Sequence, residues 1–364
     1  MKRILIMICC YLLYGQVLIA QEQSNSSYVE TEDRNYSRAQ VLRYTGFSLG
    51  SNALLHGINT FESIGALSTI TGSEESNIPK PWWVYATISS HHLPLYAFDR
   101  KKAITYTGTG LSFLGLHLAT KEKPYISRVP YYFYLDNEFY STYEIYKATR
   151  GKAKSGIYPE DWKTFNRKEL FCAPFQMEHL SHPLFYVTIL TETTIHVLLS
   201  ALGNEDAIWK TGEAYIDSEK VPMSQAVPAI LATNLLTETA VAVGEEALFR
   251  GVIYEELKLS LGSKRAKLID MILFPALHIA GDLALEHSSD EVMGNFILRS
   301  FSTLLFDLAY DRGGLPLSTA LHMWYNTIGH SMVWAENNGV KPSSSNNSSS
   351  TVMTNCNISF SIGL

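Results

Sequence analysis

Glu245 and Glu246 stand side by side in the stretch GEEALFRG, with Arg250 four residues after the second. In a helix Glu246 and Arg250 share a face and can pair. Glu245 is turned about 100° away, so it need not share that ion pair. The run before them, from Met223, is weakly polar or apolar, and Glu238 is its only charge. Charge inside such a helix is expensive and marks a functional site by default. Two histidines follow on later apolar stretches: His278, four residues after Phe274, and His322, four before Asn326. The second spacing puts an imidazole and an amide on one helix face. A carboxylate and two imidazoles can hold and activate a water, or ligate a divalent metal. An asparagine amide can donate to a developing oxyanion. That set fits amide hydrolysis. Each member alone has a plainer reading: Glu246 and Arg250 as a buried structural ion pair, each histidine as a packing residue.

The elements that must position these groups are apolar runs broken by charged turns. Pro183 to Leu202 carries Glu192 and His196, and a charged connector from Gly203 to Lys220 follows. The run from Met223 ends near Gly262, and Leu268 to Leu285 carries Phe274 and His278. Phe296 to Leu308 is broken by Asp311-Arg312-Gly313-Gly314, and Leu315 to Trp334 carries His322 and Asn326. Polar groups at membrane depth must face protein or water, not lipid. Upstream, apolar runs to Phe98 and from Ala103 to Thr120 flank the charged turn Asp99–Lys102 and read as a helical hairpin, with Trp82, Trp83 and Tyr85 placed like interface aromatics. The tyrosine-rich block 124–181 reads as amphipathic helices and loops.

Composition agrees with a chain that is partly membrane and partly polar. Charged residues are only 18% of 364 residues, below a soluble domain's usual share, yet mean hydropathy is near zero. A net charge of −6 without a basic stripe excludes a nucleic-acid partner. Cys9, Cys10, Cys172 and Cys356 show no zinc or redox spacing, and no disulfide framework is expected. The pairs His91-His92 and His179, His182 match no metal motif and read as packing or interfacial residues. The GxSxG match GFSLG, centred on Ser48, lacks the preceding buried strand that a serine elbow needs. Lys2, Arg3 and the apolar core from Ile4 to Tyr14 resemble an export signal or an N-terminal anchor. The expected organisation is therefore a signal or anchor over 1–20, an N-terminal region over 21–181, a helical core over 182–340, and a polar Ser/Asn-rich tail over 341–364.

GEEALFRG, FPALH and HMWYN resemble the three motifs EExxxR, FxxxH and HxxxN of the CAAX-prenyl-protease and bacteriocin-processing family of intramembrane proteases, also called the Abi family. All three occur in the family's order, on apolar segments, over roughly residues 223 to 335. The resemblance implies an all-α, polytopic transmembrane helical bundle and an intramembrane endopeptidase acting on a membrane-associated or exported peptide. It implies Glu245 as general base, His278 as a positioner of water, and His322 with Asn326 as stabilisers of the oxyanion. Glu246, Arg250 and Phe274 would support the site. The cofactor is none, or one divalent metal ion such as zinc held by Glu245, His278 and His322.

The implied partners are membrane lipid and a peptide or protein substrate. The implied location is a membrane crossed several times, in a bacterial inner membrane if the signal-like start is one. A non-catalytic membrane protein of the same fold, with an immunity or scaffold role, is the competing reading; it need not keep the polar set intact. A lipid phosphatase would want basic residues beside a histidine pair, and none stand beside His278 or His322.

Overall fold

A computed structural model describes residues 36–63, 92–120, 124–201, 208, 212, 214–216, 219–284 and 287–337. The signal-like segment 1–20, Trp82, Trp83, Tyr85, His91 and the tail 341–364 lie outside the described residues. The fold is all-α. The helices are α1 (Arg38–Ser63), α2 (Leu93–Phe98), α3 (Arg100–Thr120), α4 (Pro124–Arg150), α5 (Arg167–Cys172), α6 (Met177–Leu180), α7 (Pro183–Ala201), α8 (Met223–Leu248), α9 (Glu255–Leu261), α10 (Ser263–Ala284) and α11 (Ser289–Asn337). In the connector between α7 and α8 the chain also forms a small antiparallel hairpin, β1 (Ala214–Ile216) with β2 (Glu219–Val221), which the charged sequence there did not suggest.

The residues cluster into two compact units. In the first, which includes 137–164, tyrosines make much of the core: Tyr140, Tyr143 and Tyr146 on α4 are almost fully buried. There the Ser48 hydroxyl lies mid-helix in α1, 2.7 Å from that of Thr142, so GFSLG forms no serine elbow. His92 lies 3.2 Å from the Thr107 hydroxyl and 3.7 Å from Glu138, as a packing histidine would.

The second unit, which includes 165–337, holds the helices that carry the three motifs. α8 runs through a wider π-helical turn, Phe249–Tyr254, into α9, and stops at Gly262, whose φ of +79° breaks the helix. A π turn adds one residue to a helical turn and recurs at functional sites. Here it directly follows the glutamate pair.

α11 reads as one helix of 49 residues, but Gly314 has φ 71° and ψ −167°, a conformation open to glycine alone. A β-carbon there would meet the ring of Phe165 at ordinary contact distance, so the backbone conformation, not space, is what requires the glycine. Pro316 then opens the next helix with a preset φ. Ser318 bonds the Phe306 carbonyl at 3.1 Å, twelve residues back, where a straight helix would separate them by about 18 Å. α11 is therefore a hairpin, with a first arm over 289–313 and a second arm over 315–337. The break expected at Asp311–Gly314 is this reversal. Lys258 (2.9 Å) and Lys267 (2.5 Å) hold Asp311 beside it.

Two helical stretches, Met223–Leu261 and Ser289–Glu336, are long and apolar enough to cross a membrane, and Pro183–Leu198 is a shorter apolar helix. Large apolar side chains stay exposed on the same elements and on α10, among them Leu190 on α7, Leu231 and Leu236 on α8, Ile297 on α11 and Ile272 on α10. A monomer in water rarely keeps so many.

Candidate active site

The second arm packs antiparallel to α8 along a polar seam. Asn234 donates to Ser331 at 3.0 Å, Glu238 lies 3.0 Å from His330, Glu245 lies 3.7 Å from His322, and Glu246 bonds both His322 and Ser318. As numbers rise along α8 their partners fall along the arm, which is the signature of an antiparallel pair. Every α8 member of this seam is at least nine-tenths buried. Buried polar groups must find partners, because an unpaired one costs about 1–3 kcal/mol.

Glu246 is the hub. Its Oε1 accepts from Arg250 Nη1 at 3.0 Å and from His322 Nδ1 at 2.7 Å, and its other oxygen accepts from Ser318. Nδ1–H of His322 therefore points at Glu246, which turns Nε2 toward Glu245 Oε2, 3.7 Å away. Glu245 is left out of the ion pair, as the helical offset predicts.

Arg250 is wholly buried. Besides Glu246 it donates from Nε to Asp307 at 3.1 Å and from Nη2 to the Thr303 carbonyl at 3.4 Å, and lies 3.6 Å from Asp270. The rings of Phe274 and Phe306 lie 5.0 and 5.4 Å from its guanidinium. Asp270, Asp307, Ser318 and Phe306 are absent from the sequence-predicted set. A signal for the two aspartates was present: each is a charge inside an apolar run, the same feature that singles out Glu245.

Phe274 touches both imidazoles, with its ring centroid 4.5 Å from that of His278 and 6.2 Å from that of His322. Phe306 stacks on His322 at 4.6 Å. His278 is buried, and its Nδ1–H donates to the Phe274 carbonyl at 2.6 Å, which leaves Nε2 as the acceptor of a neutral ring. Asn326, one turn beyond His322, is half-buried, and among the described residues its amide makes no side-chain hydrogen bond.

Among the described residues no three His, Cys, Asp or Glu side chains form a group that could hold a metal. Nδ1 of His322 is committed to Glu246 and Nδ1 of His278 to a carbonyl. The trio Glu245, His278 and His322, expected as the zinc set if a metal is bound, does not close around a common point here.

The arrangement is that of a helical protein with long apolar helices and a buried, charged centre built from its own carboxylates, imidazoles and one arginine. Residues 227–328 match the family model described as type II CAAX prenyl endopeptidase Rce1-like, so over that segment the chain is similar to the family that its three motifs resemble. The matched segment contains Glu245, Glu246, Arg250, His278, His322 and Asn326, and stops short of the seam residues His330 and Ser331. Neither the comparison with curated proteins nor that with solved structures gave a match.

Proposed function

We propose that the protein is a multi-pass membrane endopeptidase in which Glu245 activates water against a peptide bond. The observation that carries this reading is the division of labour between adjacent glutamates. Glu246 is consumed by Arg250, His322 and Ser318, while Glu245 faces the free nitrogen of His322 at 3.7 Å. That separation is longer than a hydrogen bond, and polar contacts of that length are routinely bridged by water.

In the reaction the water oxygen attacks the carbonyl carbon as Glu245 takes its proton. Asn326 donates to the oxyanion, as does His322 from Nε2 when its ring carries both protons, with Nδ1–H remaining on Glu246, and His278 helps to position the water. Collapse breaks the C–N bond as Glu245 returns the proton to the leaving nitrogen. No step uses a metal. The arms of α11, at about 1.5 Å per residue, each exceed the hydrocarbon thickness of about 30 Å, which supports several crossings. A bacterial inner membrane and an exported or membrane-associated peptide as substrate rest on the signal-like start and on the family resemblance.

The test is cleavage of an unbiased peptide pool by purified protein in lipid, wild type against Glu245→Gln. The substitution keeps size and most hydrogen bonds but removes the base. We expect a loss of about a hundredfold or more, the scale of general-base contributions, with unchanged melting. Equal rates would reject Glu245 as the base.

A further inference from the structure

Two chain reversals of the second unit meet at one end of its helices. The Tyr254 hydroxyl donates to Asp311 at 3.1 Å and the Ser263 hydroxyl at 3.0 Å, while Lys258 and Lys267 pair with the same carboxylate. The turn at Gly262 therefore stands beside the reversal at Gly314. Lys258, Lys264, Arg265, Lys267 and Arg312 gather there. Asp311 accounts for Lys258 and Lys267. Lys264, Arg265 and Arg312 are exposed and have no ion pair among the described residues. The far end of α10 and the start of the first arm carry the opposite sign. Asp290 and Glu291 open that arm. After Lys267 the next Lys or Arg in the sequence is Arg299, which two bonds commit to Asp282.

The three unpaired cations are seated where apolar surface ends. Lys264, Leu268 and Ile272 fall one turn apart on one face of α10, and Arg265 stands one turn from Ile269 beside them; all five are exposed. Arg312 likewise ends the half-buried row Leu304, Leu308 on the first arm. A helix in water rarely presents an open apolar stripe that stops at a cation. A helix facing lipid does, because its cations reach the headgroups while their stems lie along the acyl chains. Cytoplasmic loops keep an excess of Lys and Arg, and the cytoplasmic leaflet carries the acidic lipids. We infer that the end holding the Gly262 and Gly314 turns lies on the cytoplasmic leaflet, where Lys264, Arg265 and Arg312 bind acidic phospholipid headgroups. α8 then runs toward the cytoplasm and α10 away from it. Counted from Gly314, His322 lies about 12 Å along the second arm from that end. This orientation rests on the reading of the chain as multi-pass and not on its catalysis.

Two measurements on the full chain test it. For orientation, the native cysteines are changed to serine, and Ser260→Cys or Asp290→Cys, one at each end, is probed with a membrane-impermeant maleimide in right-side-out bacterial vesicles. We expect Asp290→Cys to react at once and Ser260→Cys only after the vesicles are opened. The reverse pattern overturns the inference. For lipid binding, purified protein is reconstituted in phosphatidylcholine vesicles with a trace of spin-labelled phosphatidylglycerol or spin-labelled phosphatidylcholine. The wild type should prefer the acidic label by about fivefold for each cation it meets, and less in about 1 M salt, where the Debye length is only about 3 Å. The triple variant Lys264→Gln, Arg265→Gln, Arg312→Gln should lose that preference at unchanged melting, because none of the three holds an ion pair among the described residues. Equal preference in the two proteins overturns the inference, and is the result expected if the cations serve a soluble partner instead. Carbonate extraction of the same vesicles separates the two readings. A chain that washes off rejects the membrane reading and the inference with it, whereas a chain that stays but labels in the reverse pattern overturns the inference alone.

Discussion

Among the described residues each unit buries one arginine, and the two are held in quite different ways. In the first, Arg150 sits among rings: its guanidinium lies 3.9 Å from the centroid of Trp162 and 4.6 Å from that of Tyr158, and it donates to the Tyr146 hydroxyl at 3.0 Å. In the second, Arg250 sits among Glu246, Asp307 and Asp270, with Phe274 and Phe306 at its sides. Rings offer a diffuse attraction of about 0.5–2 kcal/mol that tolerates small shifts. Carboxylates offer directed bonds, and they also need the cation, since each would otherwise be a buried unpaired charge. The first arrangement suits packing. The second fixes atoms, and what it fixes is Glu246, hence the orientation of His322.

If that contrast is right, removing the two arginines has unequal consequences. Arg250→Ala should destabilise by about 3–5 kcal/mol, the cost of breaking a buried pair, and so reduce abundance and melting temperature together with activity. Arg250→Lys should recover little, because a point charge cannot donate to Glu246, Asp307 and the Thr303 carbonyl at once. Normal accumulation of Arg250→Ala with unchanged melting in detergent would break the comparison.

Arg150→Ala should cost less, about 1–2 kcal/mol on the cation–π scale, and Arg150→Lys less again. A melting series of the three proteins in detergent measures the difference. An Arg150→Ala loss as large as that of Arg250→Ala would mean that rings hold a cation as firmly as charges do here.

The smallest effect sharpens the picture of the first unit. Burial works to raise the carboxyl of Glu144, but Lys147 and Lys102 outweigh it and hold the group below its ordinary value. α4, which carries Glu144, is not one of the candidate spans. A carboxyl depressed in the fold adds stability that is present above its unfolded pKa and lost as pH falls through the folded one. Lys147→Ala should weaken that depression and so flatten the acid side of the stability profile, by less than about 1 kcal/mol because the lysines are partly exposed. Melting curves between neutral and acid pH decide it; an unchanged acid slope would leave Lys147 without a role in holding the charge.

What the sequence revealed follows from how local each contact is. The Glu246–Arg250 pair lies within one turn and needs only helical geometry. The offset of Glu245 follows from the same arithmetic. The reversal at Gly313-Gly314 is legible because glycine and proline punctuate chains in a known way. Asp307 reaches Arg250 across 57 residues and Ser318 reaches Glu246 across 72, and no periodicity within one helix reports such pairings. The glutamate and histidine of Pro183–Leu202 were visible as polar groups at membrane depth, but the approach of His196 to Glu336, 3.7 Å apart on two different helices, leaves no trace in either helix's own periodicity.

The hairpin in α11 also has a bearing on biogenesis. The ribosome makes Arg250 with Glu246 already beside it, and Asp307 emerges 57 residues later, about 3–11 s at common elongation rates. For that interval the guanidinium has a partner from its own helix but not from the hairpin. His322 and Ser318, on the last arm to be made, arrive later still. The buried polar centre around Glu246 can therefore assemble only after the nascent chain has folded back at Gly314, so α8 and the first arm are made before its last bonds can form.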